Sequence, residues 1–282
     1  MISCVGLIGA LGCNVFLAFV DKRSSSELTN NKDILFFSFL KTLTCALFAI
    51  FCLPMASMYI NIAGIIIALF AGFFHAASVV LIMKSLRNTL AVYVNLFMGA
   101  GVVIPTIMGV FLLNQAMTWI KASCLILLIV ALALTLNAKT GRKVNLRLLL
   151  PMFLCYGMLM CMQGLFPKYC TDGSGAIFSV VMYGSSALLL GLITILKRKD
   201  RQHLMKSTYL LGFISAAFNL AINMLLTNLS ATFDAVVVFP TVHGLKLVIV
   251  TLLSSVVWKE KISGIQILGS FVAIICVCVL AI

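Results

Sequence analysis

Four ionisable side chains lie where a chain this apolar should not keep them. Lys41, His75, His243 and Lys246 fall inside long apolar stretches, whereas the seven acidic residues (Asp21, Glu27, Asp33, Asp172, Asp200, Asp234 and Glu260) read as loop or helix-end positions. A charge held within a bilayer is costly and marks function. Embedded cations with no embedded carboxylate predict a site for something negative and argue against cation binding. His243 and Lys246 are three residues apart and share a helix face, one turn beyond a kink expected at Pro240. Ser215, Asn219, Asn223 and Thr227 recur every fourth residue. They form one polar stripe that lipid cannot satisfy, so it must face a cavity or a neighbouring helix. The set expected to touch substrate is therefore Lys41, His75, Asn219, Asn223, His243 and Lys246. Asn14, Tyr93, Tyr156, Gln163 and Tyr183 are further polar groups able to line a pocket.

Each of these residues also has a plainer reading. Lys41, about seven residues into its apolar run, is placed to snorkel toward a headgroup. Lys246 is too deep for that; neutralisation or solvation by carbonyls is its alternative. The histidines and the asparagine stripe can serve as helix-to-helix hydrogen bonds, worth about 0.6 kcal/mol each.

Several chemistries find no residues to carry them. The ten cysteines are scattered, with no Cys-x-x-Cys and no His/Cys cluster at metal-ligand spacing. There is no glycine-rich loop ending in Lys-Ser/Thr to cradle nucleotide phosphates. Catalytic residues, a metal and a cofactor are not expected, and the energy source must be a gradient or another subunit. Met1 leads straight into an apolar run, which argues against a cleaved signal peptide.

The elements that must position the polar residues are membrane spans. Hydrophobic residues make up 63% of the 282 and charged ones only 10%, a balance with too little polar surface for a soluble core. Ten apolar runs, at about 2–20, 34–53, 59–83, 89–113, 119–138, 146–166, 174–196, 207–228, 232–257 and 263–281, are long enough to cross roughly 30 Å of hydrocarbon. The net charge of +13 is explained by topology and not by nucleic acid. Sixteen of the twenty Lys and Arg fall in alternate loops, against Lys121 and Lys168 in the loops opposite. This positive-inside asymmetry predicts cytoplasmic basic loops and extracytoplasmic termini in a multi-pass protein of the cell membrane.

The two halves, 1–140 and 141–282, match at an offset of about 145 residues. Gly12 falls on Gly157, Asn95 and Gly99 on Pro240 and Gly244, the turn Asn114–Thr118 on Lys259–Ser263, and His75 on Asn219 at an offset of 144. Five spans per half is an odd number, so the second half enters the membrane from the opposite side. The expected fold is all-α, ten transmembrane helices as two inverted five-helix repeats. The small residues Gly64, Ala68, Gly72 and Ala76, at four-residue spacing in the third span, predict a close packing seam.

The stretch Phe239-Pro240-Thr241-Val242-His243-Gly244, the Trp258-Lys259-Glu260-Lys261-Ile262-Ser263 turn, and Gln266 through Gly269 resemble the last two helices of EamA-type transporters of the drug/metabolite transporter superfamily. Pro105 and the Asn114–Thr118 turn echo them in the first half. The resemblance implies a ten-helix carrier working by alternating access, with a basic residue in the second helix where Lys41 stands. Two departures stand out. Relatives generally keep their termini in the cytoplasm, and Gln115 occupies a position where glutamate is usual.

The leading expectation is a secondary transporter of a small anionic or zwitterionic metabolite, a monomer or homodimer in the bilayer, binding no nucleic acid. A proton-coupled multidrug or cation exporter is the alternative, with His75 or His243 titrating in place of an embedded glutamate. A membrane enzyme or structural subunit is the reading from another class.

Overall fold

The computed structural model describes residues 2–113, 118–120, 122–124, 126–127, 130, 145–197, 205–233, 235–257, 264–265, 268–269, 271–272 and 275. The expected spans 119–138 and 263–281 and the turns Asn114–Thr118 and Lys259–Ser263 lie largely outside the described residues.

Among the described residues the chain is helical, with no strand. The helices are α1 (Ile2–Glu27), α2 (Asn31–Cys52), α3 (Ile62–Asn88), α4 (Ala91–Ala100), α5 (Val103–Leu113), α6 (Leu146–Tyr169), α7 (Gly175–Leu196), α8 (Lys206–Thr232) and α9 (Ala235–Val257). Seven helical segments are long and apolar enough to cross a membrane, and α9 adds a shorter apolar stretch, Val237–Leu253. This is the make-up of an all-α, multi-pass membrane protein. Large apolar side chains such as Phe51, Phe111, Leu188 and Leu196 are exposed on the outside of the bundle, where lipid can cover them.

Local sequence sets the helix starts. Asn30 and Asp33 form a reciprocal capping box at α2: Asn30 Oδ1 accepts from the Asp33 amide at 2.8 Å, and Asp33 Oδ2 accepts from the Asn30 amide at 3.2 Å. Asn61 caps α3 through the Gly64 amide at 2.7 Å, and Ser174 caps α7 through the Ile177 amide at 3.3 Å.

Three boundaries differ from expectation. The first span extends to Glu27, because an apolar-run criterion stops at Asp21 while the helix continues through it. The second span starts at Asn31, which places Lys41 at mid-helix. The expected fourth span is two helices, broken at Gly101 and Val102. There the α4–α5 backbone presses on α6: a Cβ at Gly157 would lie 2.7 Å from the Gly101 carbonyl and 2.5 Å from Ile104 Cδ1. The α9 helix runs through position 240 without a break in its assignment.

Helix contacts follow a pairwise pattern. Exchange α1 with α6, α2 with α7, α3 with α8, and α4–α5 with α9. The packing of α1 on α8 then becomes that of α6 on α3, α1 on α9 becomes α6 on α4–α5, α3 on α7 becomes α8 on α2, and α1 on α3 becomes α6 on α8. The α2–α7 and α4–α9 contacts map onto themselves. The small-residue seam of α3 is used inside the chain: a Cβ on Gly72 would lie 1.9 Å from Ser185 Oγ and 2.6 Å from the Met182 carbonyl of α7.

Hydrogen bonds also sort the loops by end. Lys22 Nζ donates to the Leu86 carbonyl at 2.9 Å, Arg87 to the Thr29 carbonyl at 3.2 Å, and Thr208 Oγ1 to Glu27 at 2.7 Å, gathering the ends of α1 and α3 with the starts of α2 and α8. At the other end Ser57 Oγ donates to the Asp172 carbonyl at 2.7 Å, and Asn61 Nδ2 to the Tyr169 carbonyl at 2.7 Å.

A candidate substrate site between the halves

Asp21 changes the electrostatics read from the sequence. It is not a helix-end residue; it lies inside α1, is 6% exposed, and faces Lys41, itself 2% exposed. Lys41 Nζ donates to both carboxylate oxygens, at 2.8 Å and 2.9 Å, and Ser215 Oγ donates to Oδ1 at 2.5 Å. The expectation of embedded cations without an embedded carboxylate is thus corrected. Lys41 does not snorkel, since the eleven residues from Asn31 put it at the centre of α2, roughly 15 Å from the helix end. A buried pair survives only when its remaining hydrogen-bonding capacity is filled, and Ser215, the first residue of the α8 stripe, supplies that third bond.

Asp21 and Lys41 line a cavity of about 40 Å³, room for roughly three waters at one probe sphere each. Asn14 of α1, His75 and Ser78 of α3, Tyr156 and Gln163 of α6, and Asn219 and Asn223 of α8 contribute the other polar groups. The walls come from both halves of the chain.

The α8 stripe both lines this cavity and ties helices together. Asn223 Nδ2 donates to Tyr183 Oη at 2.6 Å and to the Asn219 carbonyl at 2.7 Å, while its Oδ1 accepts from Gln163 Nε2. Asn219 Nδ2 stands 3.4 Å from His75 Nε2, and His75 Nδ1 stands 3.0 Å from Ser186 Oγ. With Asn219 as donor to Nε2, Nδ1 carries the ring proton and Ser186 accepts it. His75 and Asn219, matched by the repeat, therefore meet in space. Thr227, by contrast, turns back to the Asn223 carbonyl at 2.8 Å and takes no part.

His243 joins the site through Asn14, whose Nδ2 stands 3.4 Å from His243 Nδ1. The ring is 2% exposed, lies edge-on to Tyr156 at a centroid distance of 5.7 Å, and its Nε2 has no hydrogen-bond partner among the described residues. With Asn14 donating to Nδ1, Nε2 is an unsatisfied N–H donor. Lys246, one turn further along α9, is 3% exposed and lies outside the cavity lining. No carboxylate among the described residues lies within salt-bridge distance of it, although the Asp21 and Lys41 charges are both within its Coulombic reach.

The structure thus brings together Lys41, His75, Asn219 and Asn223 around one cavity, with His243 reaching it through Asn14, whereas Lys246 lies outside the lining. Sequence reasoning missed Asp21 and the role of Ser215. The available signal was the four-residue spacing that continued the α8 stripe to Ser215, next to a carboxylate only one residue past an apolar run. Among the described residues no group of His, Cys, Asp and Glu is arranged to hold a metal ion.

No family model and no curated protein matches the chain. A solved crystal structure of a protein is similar over 98% of this chain and 95% of its own, with a TM-score of 0.68 and 12% identity. At that identity the likeness shows the fold alone. It spans nearly the whole of both chains, so the arrangement of helices described above is one that a solved protein also adopts.

Proposed function

We propose that the chain is a secondary transporter of the EamA kind, moving a small anionic or zwitterionic metabolite across a membrane by alternating access between two inverted five-helix repeats. The observation that carries this reading is the polar cavity in an otherwise apolar bundle. It is walled by α1, α2, α3 and α4 from residues 1–140 and by α6 and α8 from residues 141–282. An apolar, closed centre would have argued against transport. The exchange pattern of helix contacts supports the repeat, because packing that maps onto itself under a pseudo-two-fold axis lets the two access conformations have similar energies.

In this reading His243 Nε2 and Lys246 supply the attraction for a carboxylate or phosphate, and the His75–Asn219–Asn223–Gln163 network supplies hydrogen bonds. The Asp21 carboxylate can meet an ammonium group if the cargo carries one. A cavity this small between packed helices would take cargo when the halves rock apart. Reconstitution into liposomes followed by uptake of radiolabelled acidic solutes tests the proposal. Flux of lipophilic cations alone, indifferent to Lys246→Ala, would overturn the anion part.

One observation favours the proton-coupled cation exporter as a second reading. Such a carrier needs an embedded carboxylate that exchanges a proton for a cation, and Asp21 is one. Its engagement by Lys41 and Ser215 in this conformation weighs against it, since a cation would first have to displace an internal ammonium.

A further inference from the structure

Few charged residues lie within the apolar runs, so the charge that the described residues place inside the bundle can be counted. Of the four carboxylates among the described residues, Asp21 alone lines the cavity. Glu27 accepts from Ser207 and Thr208 at one end of the bundle, Asp33 belongs to the α2 cap, and Asp172 lies in the turn between α6 and α7. Asp200, Asp234 and Glu260 lie outside the described residues; in the sequence Asp200 and Glu260 fall between apolar runs and Asp234 at the start of the ninth. Of the twenty Lys and Arg, only Lys41 and Lys246 fall well inside such runs. Lys41 and Asp21 cancel through a bidentate contact. Lys246 remains, at the midpoint of α9, with the unsatisfied Nε2 of His243 three residues away on the same face.

We infer that the cargo is a monoanion, its negative group held by Lys246 and His243, and that the Asp21–Lys41 pair sets this charge by cancelling the second lysine. This rests on the transport reading above and narrows its substrate class. An uncompensated charge in a low-dielectric interior is costly. A cargo bearing one negative charge makes the loaded centre neutral. A dianion leaves one negative charge over, and a zwitterion or neutral solute leaves the Lys246 charge uncompensated. Lys41, expected from sequence to bind substrate, instead tunes the site: without Asp21 the same frame would present two cations.

The inference makes a charge series. Purified protein in liposomes is assayed for uptake of radiolabelled lactate, succinate, alanine and tetraphenylphosphonium, with size-exclusion profiles confirming that each variant is folded. Wild type should favour lactate over the other three. Lys246→Gln, which lowers the central charge by one, should cut the lactate-to-alanine uptake ratio by at least about tenfold, the effect of 1.4 kcal/mol. Asp21→Asn, which raises it by one, should move preference toward succinate. The double variant Asp21→Asn/Lys41→Gln restores the wild-type count and should restore the lactate preference, whatever its absolute rate. Wild-type flux that ignores cargo charge, or a double variant whose preference shifts as far as that of Lys246→Gln, would overturn the monoanion assignment while leaving transport standing. Absence of flux for every class would instead remove the transport reading, and the assignment with it.

Discussion

Asp21 and Lys41 illustrate how a buried charge pair is best judged by what happens when one member is removed. Breaking such a pair leaves a lone charge in a dry interior and typically costs about 3–5 kcal/mol, whereas replacing both members with apolar groups of similar size is often neutral. Lys41→Met and Asp21→Leu should therefore each lower the melting temperature of the detergent-purified protein markedly, and Lys41→Met/Asp21→Leu should recover most of the loss. Additive losses would show that each side chain acts independently. Lys246 makes the opposite prediction. A lysine about 4 Å from an anionic cargo gains roughly 4 kcal/mol at an effective dielectric near 20, of which desolvation removes part. Lys246→Ala should weaken cargo binding by about 1–3 kcal/mol while leaving the melting temperature intact, because truncating a buried cation with no carboxylate partner among the described residues relieves a cost. Lower stability with unchanged affinity would place Lys246 among the packing residues. The sequence made Lys246 and the asparagine stripe visible through their depth and four-residue spacing. It hid the Asp21–Lys41 contact, since two residues on successive helices carry no periodicity that links them.

At the scale of elements, close approach between helices is written in glycines, and only some of them matter. Gly72 packs so tightly on α7 that an added Cβ would meet Ser185 Oγ at 1.9 Å and the Met182 backbone carbonyl at 2.6 Å, whereas a Cβ at Gly184 meets nothing within 4 Å. Rotation of Ser185 relieves the first contact but not the second. Gly72→Ala should cost about 1–3 kcal/mol as an overpacked contact, and Gly184→Ala should be tolerated or slightly stabilising through the better helix propensity of alanine. Thermal denaturation of the two variants side by side checks the pair. Equal effects would mean that α3 and α7 have room to separate. The small-residue spacing in α3 was legible in the sequence as a seam, but its partner was not. Spacing identifies a face; only the packing of α3 on α7 shows that the face is filled from within the chain, as α2 packs on α8 at the exchanged position. The break between α4 and α5 had a sequence signal that was passed over: Pro105, four residues on, has no N–H to donate to the Gly101 carbonyl and its ring crowds it.

For the whole molecule, charge and the orientation of the EamA-type carriers that the sequence resembles point opposite ways over which way the bundle faces. The hydrogen-bonded ends agree with the alternation assumed in counting the basic residues. The turns after α1, after α3 and before α8 meet at one end, and those after α2 and after α6 meet at the other. The first of these ends carries Lys22, Arg23, Lys32, Lys84, Arg87 and Lys206, while the second has Lys168. Membrane insertion reads Lys and Arg close to the ends of spans and retains them on the cytoplasmic side. With the basic end in the cytoplasm, α1 begins at the far face, and the amino terminus is extracytoplasmic. Ten spans would return the carboxyl terminus to that same face. A reporter that is active only in the cytoplasm, fused after Ile282, should then be silent, and one inserted between Arg198 and Arg201 should be active. The reverse pair of results would show that the bundle follows the orientation usual among EamA-type carriers and that the basic loops face outward. A signal from both positions would instead mean an even number of spans between residue 201 and residue 282, and would count against the closing helix on which the two-repeat reading depends.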